Sequence, residues 1–236
     1  MFYPIYLDLT GRACLVVGGG PIATGKVTGL VEAGALVTVV APEVSAQVEA
    51  WQESRLLVWH ARLFQPEDLE GQFLVYAATD DRALNARIYR LADQDNRVAN
   101  AVDDLDHCNF IAPAVARQGS VQVAISTAGT SPALAKQLRD RVQDAVLTPE
   151  IGVLADYLGR WRPDVKRQID TYARRQSLWE GVLEGCLPDL LVAGQQARAD
   201  QVMREYLQRA TRPHDPHARC VVRQDRPDVC RACKGV

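Results

Sequence analysis

Three groups of residues in this 236-residue chain have the types and spacing that chemistry requires. The first is Gly18-Gly19-Gly20-Pro21-Ile22-Ala23, which fits G-x-G-x-x-A. Glycine at 18 permits a tight turn, glycine at 20 lets a pyrophosphate approach the backbone, and Ala23 is small enough for a helix to pack closely on a strand. Unpaired N–H groups at the start of that helix favour phosphate. The competing reading is a purely structural glycine turn. An acidic residue that would hold the adenosine ribose belongs about 20 residues further on. That place is taken by Ala41-Pro42, with Glu43 just beyond.

The second group, Asp103-Asp104-Leu105-Asp106-His107, puts acids directly after a short apolar run. An aspartate facing a nucleotide could take a proton while the nucleotide takes a hydride, and Asp103 is the best placed. Ordinary turn formation by Asp is the alternative, and His107 is the weaker candidate for chemistry. The third group is His214, His217, Cys220, Cys230 and Cys233, packed into 20 residues. Cys-x-x-Cys at 230 and 233 suits Zn or an Fe–S cluster, with Cys220 and a histidine able to complete the set. Incidental thiols and a redox pair are the other readings of this tail. Cys14 and Cys108 read as core or filler positions.

These groups need elements to hold them. Ala13–Val17, Leu36–Val40, Leu56–His60, Phe73–Ala78 and Val98–Val102 are short apolar runs, and helical spacing separates several of them. Runs without strict alternation mark strands covered on both faces, so residues 1–108 are expected to form a doubly wound parallel α/β domain of Rossmann-like type. The glycine loop, residues 41–43, residues 79–81 and residues 103–107 would then share one sheet edge. Asn109–Ala116 and Ser120–Thr127 are expected as strands joined by Arg117-Gln118-Gly119, followed by a helix from Pro132; residues 109–147 thus form a small α+β domain. Residues 148–211 are expected to be helical, with breaks near Pro163 and Pro188, and 212–236 a basic tail. From Arg209 onward seven Lys or Arg face three Asp.

Composition narrows the function. Lys plus Arg number 27 against 29 Asp plus Glu, a net charge of −2 that suits no dedicated nucleic-acid binder. No apolar stretch approaches the roughly 20 residues of a membrane-spanning helix. The N-terminus has no secretory pattern, and six cysteines in a chain this long fit a reducing cytoplasm.

The opening P-I-Y-L-D-L, then C-L-V-V-G-G-G-P-I-A, A-A-T-D-D, N-A-V-D, N-F-I-A-P-A and I-S-T-A-G-T-S-P together resemble the precorrin-2 dehydrogenase family of siroheme biosynthesis, whose members include dehydrogenase/ferrochelatases. The resemblance runs from about Tyr3 to Val146. It implies NAD-dependent oxidation of precorrin-2 to sirohydrochlorin, with Fe²⁺ insertion in some members. It places the family aspartate on Asp103 and cofactor contacts on Pro21, Ile22, Pro42 and Glu43, and it implies a homodimer formed through residues 109–147. Thr127 aligns with a serine phosphorylated in some relatives. The substrate carries eight carboxylates, so the start of the helix after Ala128-Gly129-Thr130-Ser131, together with Arg117, Lys136 and Arg139, could contact it; a solvated face is the alternative for these three cations. A different class of function, an NAD-sensing module without turnover, would use the same glycine loop but has no need of Asp103.

Overall fold

The computed structural model of the chain describes residues 2–211. Five strands, β1 (Ala13–Val17), β2 (Leu36–Val40), β3 (Leu57–His60), β4 (Leu74–Ala77) and β5 (Val98–Ala101), form one sheet in the order β3-β2-β1-β4-β5. Every pairing is parallel. Helices α1 (Pro21–Glu32), α2 (Ala46–Glu53) and α3 (Arg82–Gln94) provide crossovers. Along β1, Cys14 and Val16 pack with Val27 and Leu30 of α1, whereas Leu15 and Val17 pack with Ile88 and Ala92 of α3. Both faces of the sheet are therefore covered, which is why its strands read as unbroken apolar runs. Cys14 is fully buried, and loss of water pushes its thiol up to about 11.

The strand order reverses direction at β1 and β4. In such a sheet the crevice for ligands opens beyond the carboxyl ends of these two strands. Gly34 ends α1 at φ +73, its N–H bonded to the Val31 carbonyl.

Residues 2–113, with 126–132, make one compact unit; 114–125 and 133–211 make the other. In the second unit β6 (Ala114–Gln118) and β7 (Val121–Ile125) form an antiparallel hairpin. Helices α4 (Pro132–Ala145), α5 (Pro149–Gln168), α6 (Tyr172–Glu184), α7 (Leu187–Val192) and α8 (Gln196–Thr211) follow. The last four share a core that includes Tyr157, Val182, Leu187 and Met203.

Three expectations are corrected. Residues 109–113 are not part of the hairpin. Asn109 accepts a bond from the Ala99 N–H at 2.8 Å and donates to the Arg97 carbonyl at 2.7 Å, so this segment is held along β5, and strand structure starts only after Pro113. Arg117 and Gln118 lie within β6 instead of forming the turn. Nor does Pro163 break the helix: α5 runs through it to Gln168, while Pro188 sits in the first turn of α7, where its missing N–H costs nothing.

Candidate active site

The glycine triplet is wedged between two neighbouring loops. Gly18 has φ +126, and a β-carbon there would lie 2.3 Å from the Ala78 carbonyl oxygen, just past β4. At Gly19 a β-carbon would meet the Glu43 carbonyl oxygen, just past β2. Gly20 differs: nothing lies within 4 Å of its missing β-carbon. It is the N-cap of α1 and brings no side chain to that helix end, where Pro21 begins the first turn and no acidic residue competes. An open, uncapped N-terminus beside a glycine suits a pyrophosphate. Ile22, Pro42 and Glu43 are all exposed at this edge. The Thr24 and Ser45 hydroxyls, 2.9 Å apart, tie α1 to the start of α2.

The loop after β4 is fixed by a buried amide. Asn85 of α3 accepts from the Thr79 N–H at 3.1 Å and hydroxyl at 2.7 Å, and donates to the Thr79 carbonyl at 2.9 Å. Asp81 caps α3 by accepting from the N–H groups of Ala83 and Leu84.

Asp103 follows β5 in a turn closed by the Asp104 N–H on the Ala101 carbonyl at 3.2 Å. Its φ is +61, in the left-handed region that Asp enters more readily than most residues. The side chain is exposed and lines a small cavity of about 200 Å³ with Arg82, Asn85, Val102 and Asp104. Asp104 pairs with His107 at 2.7 Å, and that bond is the main reason its carboxyl lies below the usual range. His107 is thus engaged in holding the loop, with Tyr89 edge-on at 5.6 Å. Cys108 serves the same loop: its thiol lies 3.2 Å from the Ala101 carbonyl and 3.0 Å from that of Asp104. Residues 126–131 reach this place too. Ala128 and Gly129 both have positive φ, and a β-carbon on Gly129 would strike Leu105 at 2.5 Å. The Thr127 hydroxyl is engaged within its own loop, donating to the Ser131 carbonyl and accepting from the Ser131 N–H, each at 3.0 Å.

The candidate residues Gly18, Gly20, Pro21, Ile22, Pro42, Glu43 and Asp103 therefore all belong to one unit and one sheet edge. Arg117, Lys136 and Arg139 belong to the other unit, where Arg139 pairs with Asp140. Cys220, Cys230 and Cys233 lie outside the described residues, and among the described residues no group of three or more His, Cys, Asp or Glu is arranged to hold a metal. Sequence reasoning missed three residues: Gly19, Asn85 and Lys26. Lys26 carried a signal, because it sits on the Ala23, Val27, Leu30 stripe that α1 buries. Its ammonium lies 5.3 Å from the centre of the Tyr76 ring.

Three family models match in order along the chain: "Putative NAD(P)-binding" over residues 5–114, "Sirohaem biosynthesis protein central" over 118–145 and "Sirohaem synthase dimerisation region" over 150–207. A solved structure described as "SirC, precorrin-2 dehydrogenase" superposes with a TM-score of 0.70 and 30% identity, covering 89% of this chain and 98% of that one. The chain belongs to the precorrin-2 dehydrogenase family. Its curated relatives include the siroheme synthases of Photorhabdus laumondii, 40% identical over 209 residues, and of Neisseria meningitidis serogroup C, 38% identical over 207. Those matches take in 89% and 88% of this chain but 44% and 43% of the siroheme synthases, so the chain spans less than half their length. Family membership agrees with the parallel sheet and its glycine loop. Among the described residues no helix is long and apolar enough to cross a membrane.

Proposed function

We propose that this chain oxidises precorrin-2 to sirohydrochlorin with NAD, the dinucleotide lying against the glycine triplet and the start of α1. The observation that carries the reading is the single sheet edge shared by an uncapped helix N-terminus, open at Gly20, and an exposed aspartate held at φ +61 after β5. Gly20, Pro21 and Ile22 would face the pyrophosphate, with Pro42 and Glu43 near the adenosine half. NAD, when bound, supplies the hydride acceptor. Oxidation removes a hydride and a proton from the substrate, and Asp103 takes the proton. The Ala101–Asp104 turn, the Cys108 thiol and the Asp104–His107 pair hold that carboxylate at the cavity. Preorganisation of this kind spares the site a rearrangement during reaction.

The same carboxylate could accept pyrrole protons as Fe²⁺, a substrate, enters sirohydrochlorin, and the reading extends to that second step. It further takes residues 1–108 as the NAD-binding domain, 109–147 as a dimerisation domain joined by the helical residues 148–211 in a cytoplasmic homodimer, and Cys220, Cys230 and Cys233 as ligands of Zn or an Fe–S cluster. The match of residues 150–207 to a dimerisation region supports the homodimer.

The test is anaerobic incubation of the protein with precorrin-2 and NAD, followed by NADH absorbance and the spectrum of sirohydrochlorin. Turnover that Asp103→Asn removes is the expected result. Normal NAD binding with no product would favour a sensing module. Sirohydrochlorin and Fe²⁺ supplied without NAD test metal insertion separately.

A further inference from the structure

Arg82 is a cation in the wall of the cavity beside Asp103 that the reaction as described does not use. It occupies the first position of α3, directly after the capping residue Asp81. A positive charge there stands at the positive end of the helix dipole, so it does nothing to stabilise the helix. Nor does a neighbour hold it: among the described residues the guanidinium makes no hydrogen bond or ion pair. Two other polar side chains of the wall are engaged, Asn85 with Thr79 and Asp104 with His107. Arg82 and Asp103 are thus the two charged groups of the wall that no hydrogen bond or ion pair occupies among the described residues.

We propose that Arg82 is a substrate-binding residue, whose guanidinium grips one carboxylate arm of the tetrapyrrole and so sets which carbon of the macrocycle faces Asp103. The identity of that ligand rests on the dehydrogenase reading. Ordinary ligand sites span about 300–1,000 Å³, so a cavity of about 200 Å³ admits a side arm rather than a whole macrocycle. The loops after β4 and β5 carry Asp80, Asp81, Asp103, Asp104 and Asp106, an acidic rim that by itself repels a polycarboxylate. Arg82 is the one cation among the described residues that line the cavity. The start of α3 does not take the anion in its place, because Asp81 already accepts from the N–H groups of Ala83 and Leu84.

A guanidinium suits this task. It presents its donors as a planar fork that meets a carboxylate in two parallel hydrogen bonds. An arm held in that fork fixes the orientation of the substrate close to the proton acceptor, and orientation is itself a large share of rate enhancement.

Two measurements test the assignment: kinetics with precorrin-2 and NAD, and a fluorescence titration of NAD-free protein with sirohydrochlorin, which keeps the carboxylate arms. In Arg82→Gln, KM for precorrin-2 and Kd for sirohydrochlorin should each rise about tenfold or more, the loss expected for a charged hydrogen bond. KM for NAD and Tm should stay near their wild-type values. Arg82→Lys should recover part of the affinity, as a point charge without the fork. Added salt should weaken sirohydrochlorin binding more in the wild type than in Arg82→Gln. An unchanged Kd in Arg82→Gln overturns the proposal. A marked fall of Tm in that variant also overturns it, since the guanidinium then serves the folded framework. A wild type that binds sirohydrochlorin but turns over no precorrin-2 removes the dehydrogenase reading, and the titration then decides the role of Arg82 by itself.

Discussion

The carbonyl oxygen of Glu43 stands 1.8 Å from the point a β-carbon on Gly19 would occupy. The middle glycine of the triplet is thus set by the protein's own packing, whereas Gly20, with open space around it, is available to a ligand. Gly19→Ala should force the loops after β1 and β2 apart, lower the denaturation midpoint and abolish NAD binding together. Gly20→Ala should leave the midpoint nearly unchanged and still weaken NAD about tenfold or more, since each 1.4 kcal/mol lost at a crowded pyrophosphate is a factor of ten. Thermal melts and NAD titration of the two variants separate these roles.

Asp103 combines a candidate proton acceptor with a left-handed backbone. Asn tolerates that conformation about as well as Asp. Asp103→Asn should therefore keep the melting temperature while turnover falls by about 10²–10⁴-fold, the usual contribution of a positioned acid–base group. Asp103→Val should add a loss of about 1–3 kcal/mol in folding stability, because a β-branched residue is strained there. Denaturant unfolding beside the NADH assay reads both effects.

Asn85 should matter to stability and to the cavity alike. Its amide makes three hydrogen bonds to Thr79 and is 4% exposed. Asn85→Ala leaves the half-buried Thr79 N–H and carbonyl without this partner, at a cost of about 1–3 kcal/mol. Since Asn85 also lines the cavity beside Asp103, kcat/KM should fall more than NAD affinity does.

The Asp104–His107 pair predicts a pH effect with a definite sign. The Asp104 carboxyl lies below its ordinary value of 3.8, first because of the bond from His107. A group whose folded value is depressed contributes stability above the unfolded value and loses it as pH falls through the folded one. The order of the loop after β5 should therefore persist at pH 5 and weaken below about pH 3.8. Carboxyl NMR should show Asp104 titrating low in the wild type and returning towards 3.8 in His107→Ala.

Periodicity and glycine placement made much of this molecule legible beforehand. Apolar runs such as Ala13–Val17 marked strands covered on both faces, G-G-G-P-I-A marked the turn into α1, and parallel topology then put Asp103 on the glycine loop's edge. Local signals failed where a distant partner decided the outcome. Asn109 reads as the start of a strand, yet it bonds to the backbone of Ala99 and Arg97 and delays the hairpin until after Pro113. Pro163 reads as a break, but α5 passes through it. Asn85 and Gly19 owe their importance to Thr79 and Glu43, 6 and 24 residues away in sequence.

From residue types and intervals alone came the α/β architecture, the glycine turn into α1 and the acid at the end of β5, because side-chain period and backbone freedom are properties of neighbouring residues. Tertiary structure alone decided which glycine faces another backbone and which faces open space, how the turn holds Asp103 at φ +61, and that the Lys26 ammonium lies over the ring of Tyr76. Those outcomes depend on distances between segments far apart along the chain, and such distances exist only once the sheet has formed.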